Sequence, residues 1–251
     1  MKGWRLPCQR NALSYSKQMD DLFGEAGTTR GDDHAFLPTD APLAARMRPR
    51  TLDEYVGQGH ILGEGKLLRR AIEADRLSSV IFYGPPGTGK TSLARVIAAR
   101  TESRFIELSG VEGSVADIRK AVGVAAIEAR NGGRTLLFID EIHRFNKAQQ
   151  DVLLPDVESG VIALIGATTQ NPFFALTSAL VSRSRIFELE SLSRDDIAEI
   201  VRRAAADRAH GLGTEQVTLT PDAVAESSTN RRFVSVAMIS ARVVLPTPGG
   251  P

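Results

Sequence analysis

The chain has 251 residues, and its 31 lysines and arginines nearly balance its 30 aspartates and glutamates, so the formal net charge is +1. This balance excludes a global basic field for nucleic acid or membrane surfaces, although a local basic patch stays compatible with it. A single cysteine excludes a disulfide framework, and the absence of any apolar run of membrane-spanning length predicts a cytoplasmic protein without a membrane partner.

The N-terminal segment has neither helical nor strand periodicity, so residues 1–41 are expected to be mostly disordered. Residues 1–18 contain four basic residues and no acidic residue. Two interpretations of residues 1–18 stay open. They form a basic arm that touches nucleic acid, or they result from a start codon wrongly chosen ahead of Met19.

Residues 42–190 alternate between apolar runs of strand length and helix-forming segments. Continuous apolar strands between helices are typical of a parallel sheet that is covered on both faces. We therefore predict an α/β core. The predicted strands are 80–83, 104–108, 135–139, 161–166 and 185–189, and the predicted helices are 66–76, 91–100, 115–129 and 147–158.

Residues 191–227 are predicted to begin a helical domain that follows the core. Ser193 is a predicted N-cap, because Asp196 follows it at the spacing of a capping box. The Thr220-Pro221 pair predicts the start of another helix. The first of these helices has apolar residues at helical spacing, which predicts a buried stripe of Ile197, Ile200, Val201 and Ala204.

The run GPPGTGKT lies between a predicted strand and a predicted helix. Its glycines allow a tight turn in which successive N–H groups point inward at phosphate oxygens, and the following helix N-terminus adds to this anion site. Lys90 would reach the β- and γ-phosphates, and the Thr91 hydroxyl would bind Mg²⁺. The predicted phosphate-binding residues are Gly84, Pro85, Pro86, Gly87, Thr88, Gly89, Lys90, Thr91 and Ser92.

Two carboxylates, Asp140 and Glu141, directly follow the apolar run LLFI. Ligands of open α/β sheets bind at the carboxyl ends of the strands, where these side chains are predicted to emerge. Asp140 is predicted to hold Mg²⁺ through water, and Glu141 to polarise the water that attacks the γ-phosphate. An apolar strand that ends in two acidic residues is a common pattern. Its position after a phosphate loop makes the pattern specific for a nucleoside-triphosphatase.

Several strings together resemble the AAA+ ATPase superfamily, in the branch of clamp-loader subunits and Holliday-junction branch-migration motors: GPPGTGKTS, LLFIDEIHRF, LIGATT and SALVSRSR. The adenine-side box of that branch is similar to PLAARMRPRTLDEYVGQGHIL. Two further strings resemble a narrower family, that of replication-associated recombination protein A, whose members are bacterial relatives of the Werner-helicase-interacting ATPases. These strings are HRFNKAQQD and IGATTQNPFF. The resemblance covers residues 42–210 and implies a P-loop NTPase sheet with ATP and Mg²⁺ as cofactors.

The resemblance also implies roles for residues outside the two motifs. Thr169 matches the sensor 1 position, which bonds the γ-phosphate or the attacking water, and Thr168 is the alternative. Arg183 matches the arginine finger, with Arg185 as the alternative. Such a finger reaches the ATP of an adjacent subunit, so the resemblance implies a homo-oligomer. The segment that lies along the adenine matches Tyr55, Val56 and Gly57.

Three further features each have two interpretations. The pair Arg48-Pro49 either contacts the ligand or is structural. His143 is expected to order its loop rather than to act as a catalytic group, and Arg144 is expected to contact a neighbouring subunit. Phe173 and Phe174 are expected to pack beneath their loop, and the alternative is an exposed pair that contacts a substrate.

The C-terminal residues depart from the family, whose members continue through a helical lid with a Gly-Asp-x-Arg sensor 2 motif and an oligomerisation domain. Residues 228–251 do not match this pattern. We therefore expect an incomplete helical lid and a non-native, disordered tail over 228–251, which arose from a frameshift or a gene-assembly accident.

The function implied by the resemblance is a DNA-dependent ATPase that acts in replication-fork maintenance, recombination and repair. Its expected partners are ATP and DNA with forks, gaps or single-stranded ends, and its expected location is the cytoplasm, in association with the nucleoid. A clamp-loader or branch-migration subunit is one alternative. The other is a chain that binds nucleotide without turnover.

Overall fold

A parallel β-sheet organises the part of the chain that the computed structural model describes, residues 28–29 and 41–213. Five strands are parallel, and a two-residue strand pairs antiparallel with β3 at one edge, in the order β1-β3-β4-β5-β2-β6. The predicted α/β fold is therefore confirmed. The strands are β1 (Thr28–Thr29), β2 (Val80–Tyr83), β3 (Arg104–Ser109), β4 (Thr135–Asp140), β5 (Ala163–Thr168) and β6 (Arg185–Glu188).

Helices connect the strands and cover both faces of the sheet. A short 3₁₀ turn, Ile142–Arg144, follows β4 directly. None of the helices in the described ranges is long and apolar enough to cross a membrane. The helices are α1 (Leu43–Arg46), α2 (Gly59–Leu62), α3 (Leu67–Glu73), α4 (Lys90–Arg100), α5 (Val115–Arg130), α6 (Lys147–Glu158), α7 (Pro172–Ala175), α8 (Ser178–Ser182) and α9 (Arg194–Ala206).

The core consists of two hydrophobic clusters, one on each face of the sheet. Ile81 and Phe82 are neighbours in β2 but belong to different clusters, because successive side chains of a strand point to opposite faces. Leu137 and Phe138 in β4 divide in the same way, and all four side chains are fully buried. Burial on both faces explains why these strands are apolar without alternation.

The strand register brings the two sequence motifs together at one edge of the sheet. β2 lies between β5 and β6, and Tyr83 at its carboxyl end pairs with Thr168 of β5. On the other side of β5, Ile139 of β4 pairs with Gly166. The phosphate loop after β2 and the carboxylates after β4 therefore emerge at the same end of the sheet, on either side of β5.

Two predicted elements differ from the structure by more than one residue in their bounds. The strand predicted at 161–166 is β5 at Ala163–Thr168, because the left-handed Gly160 ends α6 and the next two residues form the return to the sheet. The helix predicted at 66–76 is α3, which ends at Glu73, since Asp75 has a left-handed backbone with φ of 50°.

The predicted cap of α9 is confirmed: the Ser193 hydroxyl accepts the N–H of Asp196, and the Asp196 side chain accepts the N–H of Ser193. Ile197 and Ala204 of the predicted stripe are buried, while Ile200 and Val201 are half-buried. The predictions for the basic residues of 1–18, the Thr220-Pro221 helix start and the tail over 228–251 lie outside the described residues.

Candidate functional site

A cleft of about 620 Å³ opens at the carboxyl ends of the parallel strands. The phosphate loop and the start of α4 form its floor, and the ends of β4 and β5, the segment before α2 and the helix α9 form its walls. Most of the predicted site residues meet here. Those that line the cleft are Tyr55, Val56, Pro86, Gly87, Thr88, Gly89, Lys90, Thr91, Ser92, Asp140, Glu141 and Thr169.

Three predicted binding residues lie behind the lining and support it. Gly84 sits against the backbone of Leu189, where an added Cβ would be 2.1 Å from the Leu189 carbonyl oxygen, so only glycine fits. Gly84 and Pro85 present their carbonyl oxygens to Lys90. Gly57 packs against Leu192, which lines the cleft in its place.

The Lys90 side chain is folded onto the phosphate loop. Its ammonium donates to the carbonyl oxygens of Gly84 and Pro85, at 2.8 Å each, and the residue is only 8% exposed. Burial lowers the pKa of Lys90, and the charges of Glu141 and Asp140 oppose this shift. A phosphate in the loop would offer the ammonium charged acceptors in place of two neutral carbonyls.

Tyr55 joins the predicted adenine segment to the phosphate loop. Its hydroxyl donates to the Thr88 carbonyl oxygen at 3.0 Å, and burial raises the pKa of Tyr55, which keeps the phenol a donor. Gly89 has a φ of 90°, and a Cβ on it would lie 2.4 Å from the Tyr55 hydroxyl oxygen. The ring therefore occupies space that only a glycine leaves open.

The two carboxylates after β4 have different surroundings. Asp140 is half-buried, and burial raises its pKa, while a hydrogen bond from the Glu141 N–H at 3.1 Å opposes the shift. Asp140 and the Thr91 hydroxyl line the same cleft. One carboxylate and one hydroxyl fit Mg²⁺, because this ion takes oxygen ligands and keeps much of its water or phosphate coordination.

Glu141 has a left-handed backbone, with φ of 51°, and its carboxylate is contacted from two sides. The Thr169 hydroxyl lies 3.4 Å from Glu141 Oε2, and His143 Nδ1 lies 3.1 Å from the same oxygen. Thr168, in contrast, is fully buried and contacts His143. Of the two sensor candidates, only Thr169 lines the cleft.

Arg183 does not line the cleft of its own chain. It follows α8, is exposed, forms an ion pair with Glu158 and donates to the Ala179 carbonyl oxygen at 2.9 Å. The alternative residue, Arg185, is also exposed and begins β6. Neither arginine is among the residues that line the cleft.

Charged and apolar residues that the motifs do not contain also line the cleft. Arg95 lies one turn after Thr91 on α4, a spacing that places both on one helix face and was the available signal. Its guanidinium forms an ion pair with Glu107 of β3 at 2.8 Å. Sequence reasoning missed these two residues, together with the ligand-facing position of Leu192, Ile200 and Arg203.

Direct hydrogen bonds hold α9 and the strand before it over the adenine segment. The Gln58 side chain donates to the Glu190 carbonyl oxygen at 2.7 Å and accepts the Glu190 N–H at 3.0 Å. Arg203 donates to the Glu54 carbonyl oxygen at 3.1 Å. Arg48, whose role the sequence left open, also lines the cleft.

The expectation that Phe173 and Phe174 are buried is wrong. They are 67% and 91% exposed in α7. Asn171 caps this short helix by accepting the Phe173 N–H at 3.0 Å, and Pro172 takes the buried position. Because Pro172 faces the protein, the two rings that follow it turn towards solvent.

Comparison with known proteins agrees with this geometry. A family model described as the P-loop domain of the Holliday junction DNA helicase RuvB matches residues 47–173, just over half of the chain. The chain belongs to this RuvB P-loop domain family. The family match begins before the adenine segment and ends at Phe173, so it contains the phosphate loop, both carboxylates and Thr169.

Individual relatives of this RuvB-type domain confirm the predicted resemblance. Replication-associated recombination protein A of Escherichia coli K12 is 51% identical over 181 residues, which are 72% of this chain and 40% of the relative. ATPase WRNIP1 of Dictyostelium discoideum is 44% identical over 163 residues, 65% of this chain and 19% of the relative. The chain thus spans less than half the length of these curated relatives.

A solved structure shares the fold of the RuvB-type domain. A variant of RuvB from Thermotoga maritima is similar with a TM-score of 0.61 and 30% sequence identity, over 77% of this chain and 63% of that one. The fold and the family therefore agree: the described residues form an AAA+ P-loop domain.

Proposed function

We propose that this chain binds ATP with Mg²⁺ in the cleft and hydrolyses it, as a DNA-dependent ATPase of replication-fork maintenance and recombination. One observation carries the proposal: Lys90, Asp140, Glu141 and Thr169, from three different segments, line one cleft together with the adenine segment. Separate strand ends that present a cation, two carboxylates and a hydroxyl to the same space are what phosphoryl transfer requires.

Binding places the triphosphate on the inward-pointing N–H groups of the loop. Lys90 exchanges the carbonyl oxygens of Gly84 and Pro85 for β- and γ-phosphate oxygens. The adenine lies in the apolar slot between Val56, Leu192 and Ile200. Thr91 and Asp140 would hold Mg²⁺, which would neutralise part of the charge on the phosphate groups.

Hydrolysis uses the carboxylate of Glu141 as a base. A water between Glu141 and the γ-phosphate attacks phosphorus, the bond from the γ-phosphorus to the bridging oxygen breaks, and the water's proton passes to Glu141. ADP and phosphate leave. Thr169, whose hydroxyl lies 3.4 Å from Glu141 Oε2, would orient the water or a γ-phosphate oxygen.

Arg183 is proposed to complete the site of an adjacent subunit. Its exposure and its absence from its own cleft support an action in trans. A guanidinium that neutralises charge in the transition state raises the rate of such sites by about 10³- to 10⁵-fold. The proposal therefore includes a homo-oligomer.

The cellular role rests on the names of the relatives. The Escherichia coli relative is named for replication-associated recombination, and we extend that role to this chain as a cytoplasmic, nucleoid-associated protein with forked, gapped or single-stranded DNA ends as its partner. The family model is named for a Holliday junction helicase, so a branch-migration subunit is the second candidate. Stimulation by a four-way junction but not by a fork would favour this second candidate.

The test is ATP turnover by the chain with and without forked DNA, beside the Lys90→Ala variant. The proposal predicts turnover that forked DNA increases and that Lys90→Ala abolishes. ATP binding without turnover would leave a nucleotide-binding chain and contradict the hydrolytic part. Turnover unaffected by DNA would contradict the DNA-dependent part alone.

A further inference from the structure

We propose that His143 is a positioning residue for hydrolysis, which donates the proton on Nδ1 to the Glu141 carboxylate and holds this carboxylate towards the attacking water. The inference rests on the proposed function, since it assigns a task to a residue that acts through the base. His143 does not line the cleft. It therefore acts through Glu141 and not on the nucleotide.

The geometry of His143 is that of a buried anchor. It lies in the 3₁₀ turn after the two carboxylates, and its side chain is only 5% exposed. Nδ1 lies 3.1 Å from Glu141 Oε2 and 2.9 Å from the Thr168 hydroxyl oxygen. One ring nitrogen thus faces two oxygens at hydrogen-bond distance.

The surrounding groups decide where the proton on this ring lies. An ionised Glu141 carboxylate can only accept a hydrogen bond. The Thr168 hydroxyl oxygen accepts the Gln170 N–H at 3.0 Å, and its own proton has the Gln170 carbonyl oxygen 3.2 Å away. A bare Nδ1 would leave its lone pair 3.1 Å from the negatively charged carboxylate, without a proton between the two atoms. Nδ1 therefore carries the proton and shares it between the two oxygens.

Glu141 needs such an anchor because its other contacts are weak. Its left-handed backbone fixes the start of the side chain, but the side chain is still 35% exposed. The second contact to its carboxylate, from Thr169, is 3.4 Å long and comes from an exposed residue. Loss of the His143 donor would leave the base free to rotate away from the water.

The same anchor connects the base to the phosphate loop. Thr168, which orients His143 through its hydroxyl, accepts the N–H of Gly84 at its backbone carbonyl, at 3.2 Å. Gly84 in turn accepts the Lys90 ammonium. A series of hydrogen bonds therefore runs from Lys90 through Gly84 and Thr168 to His143, whose Nδ1 lies 3.1 Å from the carboxylate of Glu141.

Two uncharged variants distinguish positioning from simple packing. The side-chain amide nitrogen of His143→Asn superposes on Nδ1 and keeps the donor, whereas that of His143→Gln superposes on Nε2 and removes it. We expect kcat for ATP to stay within about threefold in His143→Asn and to fall about 10²-fold in His143→Gln, because a misplaced catalytic group costs about that factor. KM for ATP should stay within about twofold in both, since neither contacts ATP.

A coupled variant shows whether His143 acts through Glu141. In the Glu141→Gln background, His143→Gln should lower kcat by less than about twofold, because two residues that act as one unit are not additive. Equal loss of kcat in His143→Asn and His143→Gln, or a full further loss in the Glu141→Gln background, would overturn the proposal. Thermal unfolding of each variant identifies a loss of kcat that comes from misfolding.

A measurement without turnover tests the anchor itself. In a ¹⁵N-histidine-labelled chain, the His143 ring, assigned from its absence in His143→Asn, should carry a proton on Nδ1, and its Nδ1 resonance should shift in Glu141→Gln. A neutral ring with its proton on Nε2 would overturn the proposal. If the unmodified chain lacks ATP turnover that depends on Lys90, the proposed function fails. The tautomer of His143 still shows in that case whether His143 donates a proton to Glu141.

Discussion

At the scale of single residues, the contact of Tyr55 with Gly89 joins two parts of the site that are distant in sequence. We predict that Gly89→Ala weakens ATP binding by at least about tenfold, because φ of 90° is strained for alanine and its Cβ would overlap the Tyr55 hydroxyl. Titration with a fluorescent ATP analogue measures the affinity.

Gly87→Ala is the matched control for this prediction. Gly87 has φ of 80°, but a Cβ on it meets no atom within 4 Å. Gly87→Ala therefore measures the loss of ATP affinity that comes from the strained backbone alone, without an overlap of side chains. Equal weakening of ATP binding in the two variants would contradict the role that we give to Tyr55.

The residues that sequence reasoning found and those that it missed differ in a physical respect. Lys90, Asp140 and Glu141 belong to contiguous motifs whose chemistry is local, so their place in the site could be predicted. Glu107 and Arg203 reach the cleft only because β3 packs beside β4 and α9 folds over the adenine segment. No local pattern encodes such contacts.

At the scale of elements, a capping box begins α5, in which the Ser114 hydroxyl and N–H both contact the Asp117 carboxylate. We predict that Ser114→Ala lowers the free energy of unfolding by about 1 kcal/mol at pH 7. The Ser114 contacts hold the pKa of Asp117 below its usual value. They therefore stabilise the fold at pH values above the usual pKa, and this stabilisation is lost as the pH falls through the lowered pKa. The difference in the free energy of unfolding between Ser114→Ala and the unmodified chain should therefore become smaller below about pH 4.

Asn146→Ala provides the control, since the box at the start of α6 pairs Asn146 with Gln149, which does not titrate. Asn146→Ala should lower the free energy of unfolding by a similar amount at pH 7, and this loss should stay constant as the pH falls. Urea unfolding at a series of pH values measures both variants. If the loss of unfolding free energy became smaller in both variants as the pH falls, the titration of Asp117 would not be the cause of the effect in Ser114→Ala.

Exposure of the α7 rings gives a second prediction at this scale. Phe174→Ser should change the free energy of unfolding by less than about 0.5 kcal/mol, as is usual for exposed positions. Leu180→Ala, in the adjacent α8, removes a fully buried side chain and should cost about 2–5 kcal/mol. A large loss in Phe174→Ser, measured by thermal unfolding, would restore the expectation of burial.

The elements themselves were predictable to different degrees. Continuous apolar strands and capped helices such as α5 and α9 followed from pattern, because burial on both faces and capping leave local signals. The start of β5 did not, since Val161 and Ile162 are apolar but serve as the return from α6. Short helices such as α2 and α7 contain too few residues to show a period.

At the scale of the whole molecule, one subunit is proposed to complete the site of another. Arg183→Ala should lower ATP turnover by about 10³-fold, the lower end of the range for such a residue, while Arg185→Ala should lower it much less. Mixing Arg183→Ala with Glu141→Gln should restore part of the activity, because the second variant supplies Arg183 to the intact site of the first. A turnover rate of Arg183→Ala close to that of the unmodified chain would contradict the trans action.

We propose that this cleft binds ATP and that Glu141 activates the water which cleaves it. The most direct measurement compares ATP binding and single-turnover hydrolysis in the unmodified chain and in Glu141→Gln. We expect Glu141→Gln to bind ATP with Mg²⁺ about as tightly as the unmodified chain does and to cleave it at least about 10²-fold more slowly, since this is the usual contribution of a general base. Cleavage by Glu141→Gln at the rate of the unmodified chain would contradict it.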